Sequence, residues 1–196
     1  MTLRKWYYLF WTTLVVGSIA GLAGGLLLQW TDHEVPLAGK AIGFSIITML
    51  LGGATISVLS QMGFFAYLIA RYLFKGFLRK RWVEDAVQVI MIVIVLFDLV
   101  YLRRTPDSGW AAFFILPMVM LAVAWGVAWW KVKLTNASAR IPTLFFMIVV
   151  TAIEAVPSIR LNNPASTFYM MVPLLACNAW QILILSKVLQ TDKEPL

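Results

Sequence analysis

Ionisable and amide side chains lie inside the long apolar stretches of this sequence. Asp98 is part of "VIVLFDLVYLRR", and Glu154 lies within the apolar run "FFMIVVTAIEAV". Gln61 lies in "SVLSQMGFF", while Asn178 and Gln181 are three residues apart and so share one helix face. In hydrocarbon such groups are costly, and they face other helices or a cavity, where they bind protons, ligands or partners. These five residues are therefore the first candidates for functional chemistry.

Three of these side chains are predicted to share one depth in a membrane. At about 1.5 Å per helical residue, Asp98 and Glu154 each lie roughly 16 Å from the inner boundary, and Asn178 lies roughly 15 Å from the outer one. Asp98 also shares an arc of about 80° with Glu84 and Gln88, so this polar stripe should face other helices. We therefore expect Asp98, Glu154 and Asn178 to connect three helices.

Two arginines follow the carboxylates at the outer ends of their helices. Arg103 comes shortly after Asp98, and Arg160 comes shortly after Glu154. A long arginine side chain can bend back to a carboxylate on a neighbouring helix. The pattern leaves two interpretations open. One is structural, with an ion pair or a protonated carboxyl, and the other is a ligand site, a proton relay or a site that senses a partner.

The residue types that enzymes need are missing or isolated. The single histidine, His33, matches no HExxH metal motif, and the single cysteine, Cys177, can form no intrachain disulfide. A catalytic dyad of Cys177 and His33 would have to join two side chains that are predicted to lie at different depths. An aspartic mechanism would need a second aspartate within the membrane beside Asp98. We predict no catalytic, metal-binding or cofactor-binding residue, no cofactor and no enzymatic activity.

The elements that position these side chains are predicted to be membrane-spanning helices. The 196 residues are 61% hydrophobic and 13% charged, with a mean hydropathy of +0.84, and apolar runs long enough to cross a bilayer recur throughout. We predict an all-α polytopic membrane protein that forms one domain over residues 1–196. Its six spans are expected at about 6–29, 42–66, 86–102, 110–130, 142–159 and 167–187.

The distribution of basic residues predicts the orientation of these spans. Twelve of the 16 lysines and arginines fall at one set of helix ends, and the remaining four fall at the other. Cytoplasmic loops carry the excess of positive charge, so both termini are predicted to lie inside, in the cell membrane. The net charge of +7 is explained in the same way, without a nucleic-acid partner.

Small residues predict where helices approach one another. Gly17, Gly21 and Gly25 recur at intervals of four, a spacing that lets two helix backbones pack closely. Gly52 and Gly53 of the second span could supply the matching surface, although spacing alone leaves a helix of another protein possible.

The second span is too long for one untilted crossing. We expect it to leave the membrane within residues 57–63 and to continue as an amphipathic segment, residues 67–82, along the inner surface. An ordinary cytoplasmic loop is the alternative.

Three stretches together carry a resemblance to a known family. They are "SQMGFFAYL" at 60–68, "LFDLVYLR" at 96–103 and "CNAWQILIL" at 177–185. With six spans, the sequence resembles the KinB-signalling-pathway activation protein family of spore-forming Firmicutes. The resemblance implies an integral membrane protein needed to activate a membrane sensor histidine kinase that feeds the sporulation phosphorelay. The matched strings draw attention to Gln61, Asp98, Tyr101, Asn178 and Gln181.

Two functions remain open on the sequence. A non-enzymatic membrane regulator that contacts a multispan kinase fits the short loops and the glycine-lined faces. A small proton-coupled transporter would use Asp98 and Glu154, although the sequence shows no inverted repeats. The oligomeric state is not predicted.

Overall fold

Helices occupy the apolar stretches, and polar breaks separate them. The computed structural model describes residues 3–31, 40–77, 80–102, 110–161 and 163–190. Within these residues every element is helical, which confirms the all-α prediction. The order is α1 (Leu3–Thr31), α2 (Lys40–Phe77), α3 (Arg81–Leu102), α4 (Trp110–Leu134), a 3₁₀ turn (Ala137–Ala139), α5 (Arg140–Phe145), a π-helical segment (Phe146–Val150), α6 (Thr151–Arg160) and α7 (Pro164–Gln190).

Five stretches of the described chain are long and apolar enough to cross a membrane. They are Leu3–Thr31, Ser45–Phe74, Phe113–Leu134, Ala137–Arg160 and Pro164–Ser186. The helix α3 corresponds to the third of the six predicted spans but is not among these five. It is 22 residues long and carries three acidic side chains, Glu84, Asp85 and Asp98.

Glycines bring α1 and α2 into close contact, as the spacing predicted. A Cβ added to Gly21 would lie 2.5 Å from the Gly53 Cα, and one added to Gly17 would lie 3.0 Å from the Gly53 carbonyl oxygen. A Cβ added to Gly25 would lie 2.6 Å from the side chain of Met49 in α2. Only glycine leaves room for these contacts, so the glycine face of α1 packs against α2 of the same chain. The helix α7 packs against both.

The helix α2 runs without interruption from Lys40 to Phe77, and its stretch Ser45–Phe74 is long and apolar enough to cross a membrane, so the membrane exit expected within residues 57–63 stays a prediction. Ser57, Ser60 and Gln61 are buried inside the bundle, where they bind other helices rather than water. The predicted surface segment, residues 67–82, also begins inside the bundle. Its first residue, Tyr67, is buried, and its ring centroid lies 5.0 Å from that of Phe146. The polar residues that suggested a membrane exit therefore make interhelical contacts.

The fifth span is the centre of the bundle. It combines α5, the π-helical segment and α6, and 61% of its apolar 18-residue stretch is buried, against at most 39% of the corresponding stretches in the other four. The first four residues of the π-helical segment are all buried. A π turn inserts extra chain into a helix and changes the direction of the residues after it, often at functional sites. Here Thr151 and Glu154 come directly after the π turn.

Two apolar clusters pack around this central span. One joins α1, α2, α4, α7 and the π-helical segment through buried side chains that include Leu9, Phe64, Phe146 and Ile182. The other joins α3, α4, α6 and α7 through residues that include Leu99, Met120, Ala155 and Leu174. Each cluster takes side chains from helices far apart in the chain, so the helices form one packed bundle.

Candidate functional site

Asn178 lies at the centre of a buried polar cluster. Its amide nitrogen donates to the Thr151 hydroxyl and to the Glu154 Oε2, each at 2.9 Å. Its amide oxygen accepts from the Ser60 hydroxyl at 2.7 Å. All four side chains are buried, so a single amide ties α2, α6 and α7 together. Of the three side chains expected to connect helices, Glu154 and Asn178 meet in this cluster.

Glu154 presses its carboxyl against the backbone of α2. The carboxyl lies where a Cβ at position 63 would be, so only glycine at Gly63 allows this approach. While Oε2 accepts from Asn178, Oε1 has no hydrogen-bond partner among the described residues. The carboxyl is therefore held by one amide and by close packing.

The two glutamines differ in their surroundings. Gln61 donates from Nε2 to the Phe10 carbonyl at 3.3 Å and to the Ser57 hydroxyl at 3.4 Å, which ties α2 to α1. Gln181 is fully buried one turn after Asn178, but neither of its amide atoms has a hydrogen-bond partner within the described ranges. Of the two, Gln61 is therefore the one with a defined interhelical role.

Asp98 lies outside this cluster, and the expectation that it faces the other helices is wrong. It is exposed on the outer side of α3, whereas Gln88 and Leu99 of the same helix are buried. Leu99 is the next residue in the chain, so the inward direction of α3 is about 100° away from Asp98. The polar stripe has the predicted width, but only its Gln88 edge faces the bundle.

The predicted pairing of arginines with carboxylates is not found in the described part of the chain. Arg160 is exposed at the last position of α6, and no hydrogen bond there joins it to Asp98 or Glu154. Arg103 lies outside the described residues. Tyr101 is 68% exposed on the same outer side of α3 as Asp98.

Three residues of the cluster were not predicted as part of it. Thr151 precedes Glu154 by three residues, and that helical spacing was a usable signal. Ser60 and Gly63 gave none, because a serine and a glycine in an apolar run are equally typical of a helix end. The buried Lys131, which donates from Nζ to the Ile182 carbonyl, was also missed.

A cleft of about 370 Å³ opens beside Glu154. The helices α2 and α3 form its walls, and the fifth span forms its floor. The lining is almost entirely apolar, with polar groups at Glu154, Gln88, Glu84 and Arg71. Its volume falls in the range of small-molecule pockets. Among the described residues, no group of three His, Cys, Asp or Glu side chains is placed to hold a metal ion.

Comparison with known proteins places this bundle in a family. No solved structure matches the chain. A protein of Bacillus subtilis (strain 168), "KinB-signaling pathway activation protein", is 33% identical over 185 residues, which cover 91% of this chain and 93% of that protein. The model of the KbaA family, described as "KinB-signalling pathway activation in sporulation", matches residues 17–188. That match includes every helix that contributes to the Asn178 cluster, and the chain therefore belongs to the KinB-signalling pathway activation family.

Proposed function

We propose that this chain is a multi-pass protein of the cell membrane that activates a membrane sensor histidine kinase, which feeds the sporulation phosphorelay. The observation that carries this proposal is the 33% identity along 91% of the chain to a protein named for activation of the KinB signalling pathway. The chain acts as one domain with six spans, both termini inside and no catalytic step of its own. In this arrangement α3 also crosses the membrane, as the third span in chain order, and brings the five candidate spans to six.

The buried polar groups support a regulatory role more than a catalytic one. Asn178 uses its amide to hold three other side chains, and Gln61 holds the backbone of α1. Groups that satisfy one another fix the relative positions of helices. Such a bundle suits a protein that presents a fixed surface to a partner within the membrane.

One observation favours a second function, a small proton-coupled transporter. Glu154 lines an apolar cleft and has one oxygen without a partner among the described residues. Against this, Asp98, which the transporter interpretation needs beside Glu154, is on the outer side of α3 and not in the cleft, where Glu84 is the second carboxylate. Purified protein in liposomes would show proton-driven uptake if the transporter interpretation were correct, and we expect none.

A gene deletion tests the proposed activation. Removing the gene should lower phosphorelay output and sporulation frequency, while growth remains normal and the wild-type gene restores both. The matched control is a strain that already lacks the sensor kinase. There the same deletion should have no additional effect, because its role passes through that kinase. An equal additional loss of sporulation in the kinase-deficient strain would contradict the proposal.

A further inference from the structure

The outer face of α3 combines apolar and aromatic side chains with one carboxylate. Ile94, Phe97 and Tyr101 are 47%, 69% and 68% exposed, and they recur at the three- and four-residue spacing of one helix face. Asp98 is exposed between them. The opposite side of α3 packs against α4, α5 and α6. The Asp98 face is therefore directed away from the bundle.

No other outward face in the described part of the chain has this character. Asp98 is the one charged side chain there that is both exposed and more than three residues inside a helix. By contrast, the exposed sides of α1 and α4 present apolar residues such as Val15, Ile19, Ile115 and Met118. Those surfaces suit acyl chains, whereas the Asp98 face does not.

A carboxylate on such a face suits a partner from outside the described part of the bundle. Acyl chains offer no hydrogen-bond donor, and a buried or lipid-facing charge is costly unless it is paired. Asp98 lies four residues before the end of α3, about 6 Å along the helix axis. Its short side chain cannot extend to the interface as lysine and arginine do. No described residue donates a hydrogen bond to it.

We propose that the α3 face formed by Ile94, Phe97, Asp98 and Tyr101 is the docking surface for a transmembrane helix of the partner. That helix would present a lysine, an arginine or an amide donor at the depth of Asp98. The charge of Asp98 selects this chemistry, and the apolar and aromatic neighbours supply the packing surface around it. The inference rests on the proposed function, in which α3 crosses the membrane and the partner is the sensor kinase.

Site-specific photo-crosslinking in native membranes tests this face. A photoreactive amino acid at Phe97 should crosslink to the kinase, whereas one at Ile115 on the outer face of α4 should not. Both side chains are strongly exposed, at 69% and 62%, so equal access to lipid makes them a matched pair. A crosslink from Phe97 to a second copy of this chain would overturn the choice of partner.

Substitution of Asp98 provides a separate measurement. Asp98→Leu should reduce recovery of the kinase with the affinity-tagged protein by about ten-fold, while the amount of the variant in the membrane stays unchanged. Asp98→Asn, which keeps a polar group, should retain an intermediate recovery. Normal recovery with Asp98→Leu would show that the carboxyl is merely solvated at the interface, and the inference would be wrong.

The two proposals fail in different ways. If the wild-type protein does not recover or crosslink to the kinase from either position, and gene deletion leaves phosphorelay output normal, the proposed function is wrong and the docking surface falls with it. If the wild-type protein recovers the kinase but Phe97 forms no crosslink to it, only the docking surface is wrong.

Discussion

Replacing Asn178 with leucine should destabilise the bundle by about 3–5 kcal/mol. The substitution keeps the branched shape and the number of heavy atoms of the side chain but removes three hydrogen bonds, to Ser60, Thr151 and Glu154. Hydrogen bonds between membrane helices contribute about 0.6 kcal/mol each on average, so the three together account for about 2 kcal/mol. The loss also leaves both carboxyl oxygens of Glu154 without a donor among the described residues, which adds about 1–3 kcal/mol.

The free energy of unfolding can be measured by titrating the purified protein in mixed micelles with a denaturing detergent. Thr55→Val is the matched control, because Thr55 is exposed and donates only to the Leu51 carbonyl of its own helix. Combining Asn178→Leu with Thr151→Val should cost less than the sum of the two single changes, since both remove the same hydrogen bond. A cost for Asn178→Leu below about 1 kcal/mol, or strict additivity with Thr151→Val, would refute the cluster.

Two further predictions concern packing and topology. Gly53→Ala should lower the free energy of unfolding by about 1–3 kcal/mol, because the new Cβ meets the backbone of α1. Gly126→Ala is the control, since nothing lies within 4 Å of a Cβ there, and an equal loss in both would contradict the argument. In a Cys177→Ala background, a cysteine at Asn163 should react with an impermeant thiol reagent in intact cells, and one at Ser138 should not. Labelling at Ser138 would overturn the six-span, N-inside arrangement.

The sequence predicted the helices and the central contact because both depend on local pattern. Apolar runs of sufficient length determine where helices form, and the glycine interval determines where two backbones can meet. Glu154 and Asn178 were expected at the same depth because each depth can be calculated from the rise per residue along a helix that crosses the same bilayer. These inferences needed no knowledge of how the helices are arranged around one another.

The orientation of Asp98 and the buried contacts of α2 could not be predicted, because they depend on that arrangement. A polar stripe defines an arc on a helix, but the neighbours of the helix determine which edge of the arc is covered. On α3 the covered edge includes Gln88 and Leu99, which leaves Asp98 outside. Ser57 and Ser60 likewise suggested a membrane exit, and their interhelical contacts became evident only from Gln61 and Asn178, to which they hydrogen-bond.

The place of Asn178 in the last described helix has a consequence for biosynthesis. Its bond to Glu154 spans 24 residues of sequence, and its bond to Ser60 spans 118. At a synthesis rate of about 5–20 residues per second, Asn178 is added roughly 1–5 s after Glu154. The interval between Ser60 and Asn178 is several times longer. A chain interrupted before α7 keeps Glu154 without this donor and leaves the surfaces of α1 and α2 that α7 covers open to lipid. Because the finished protein covers these groups, their exposure distinguishes such a fragment, and quality-control proteases can recognise it.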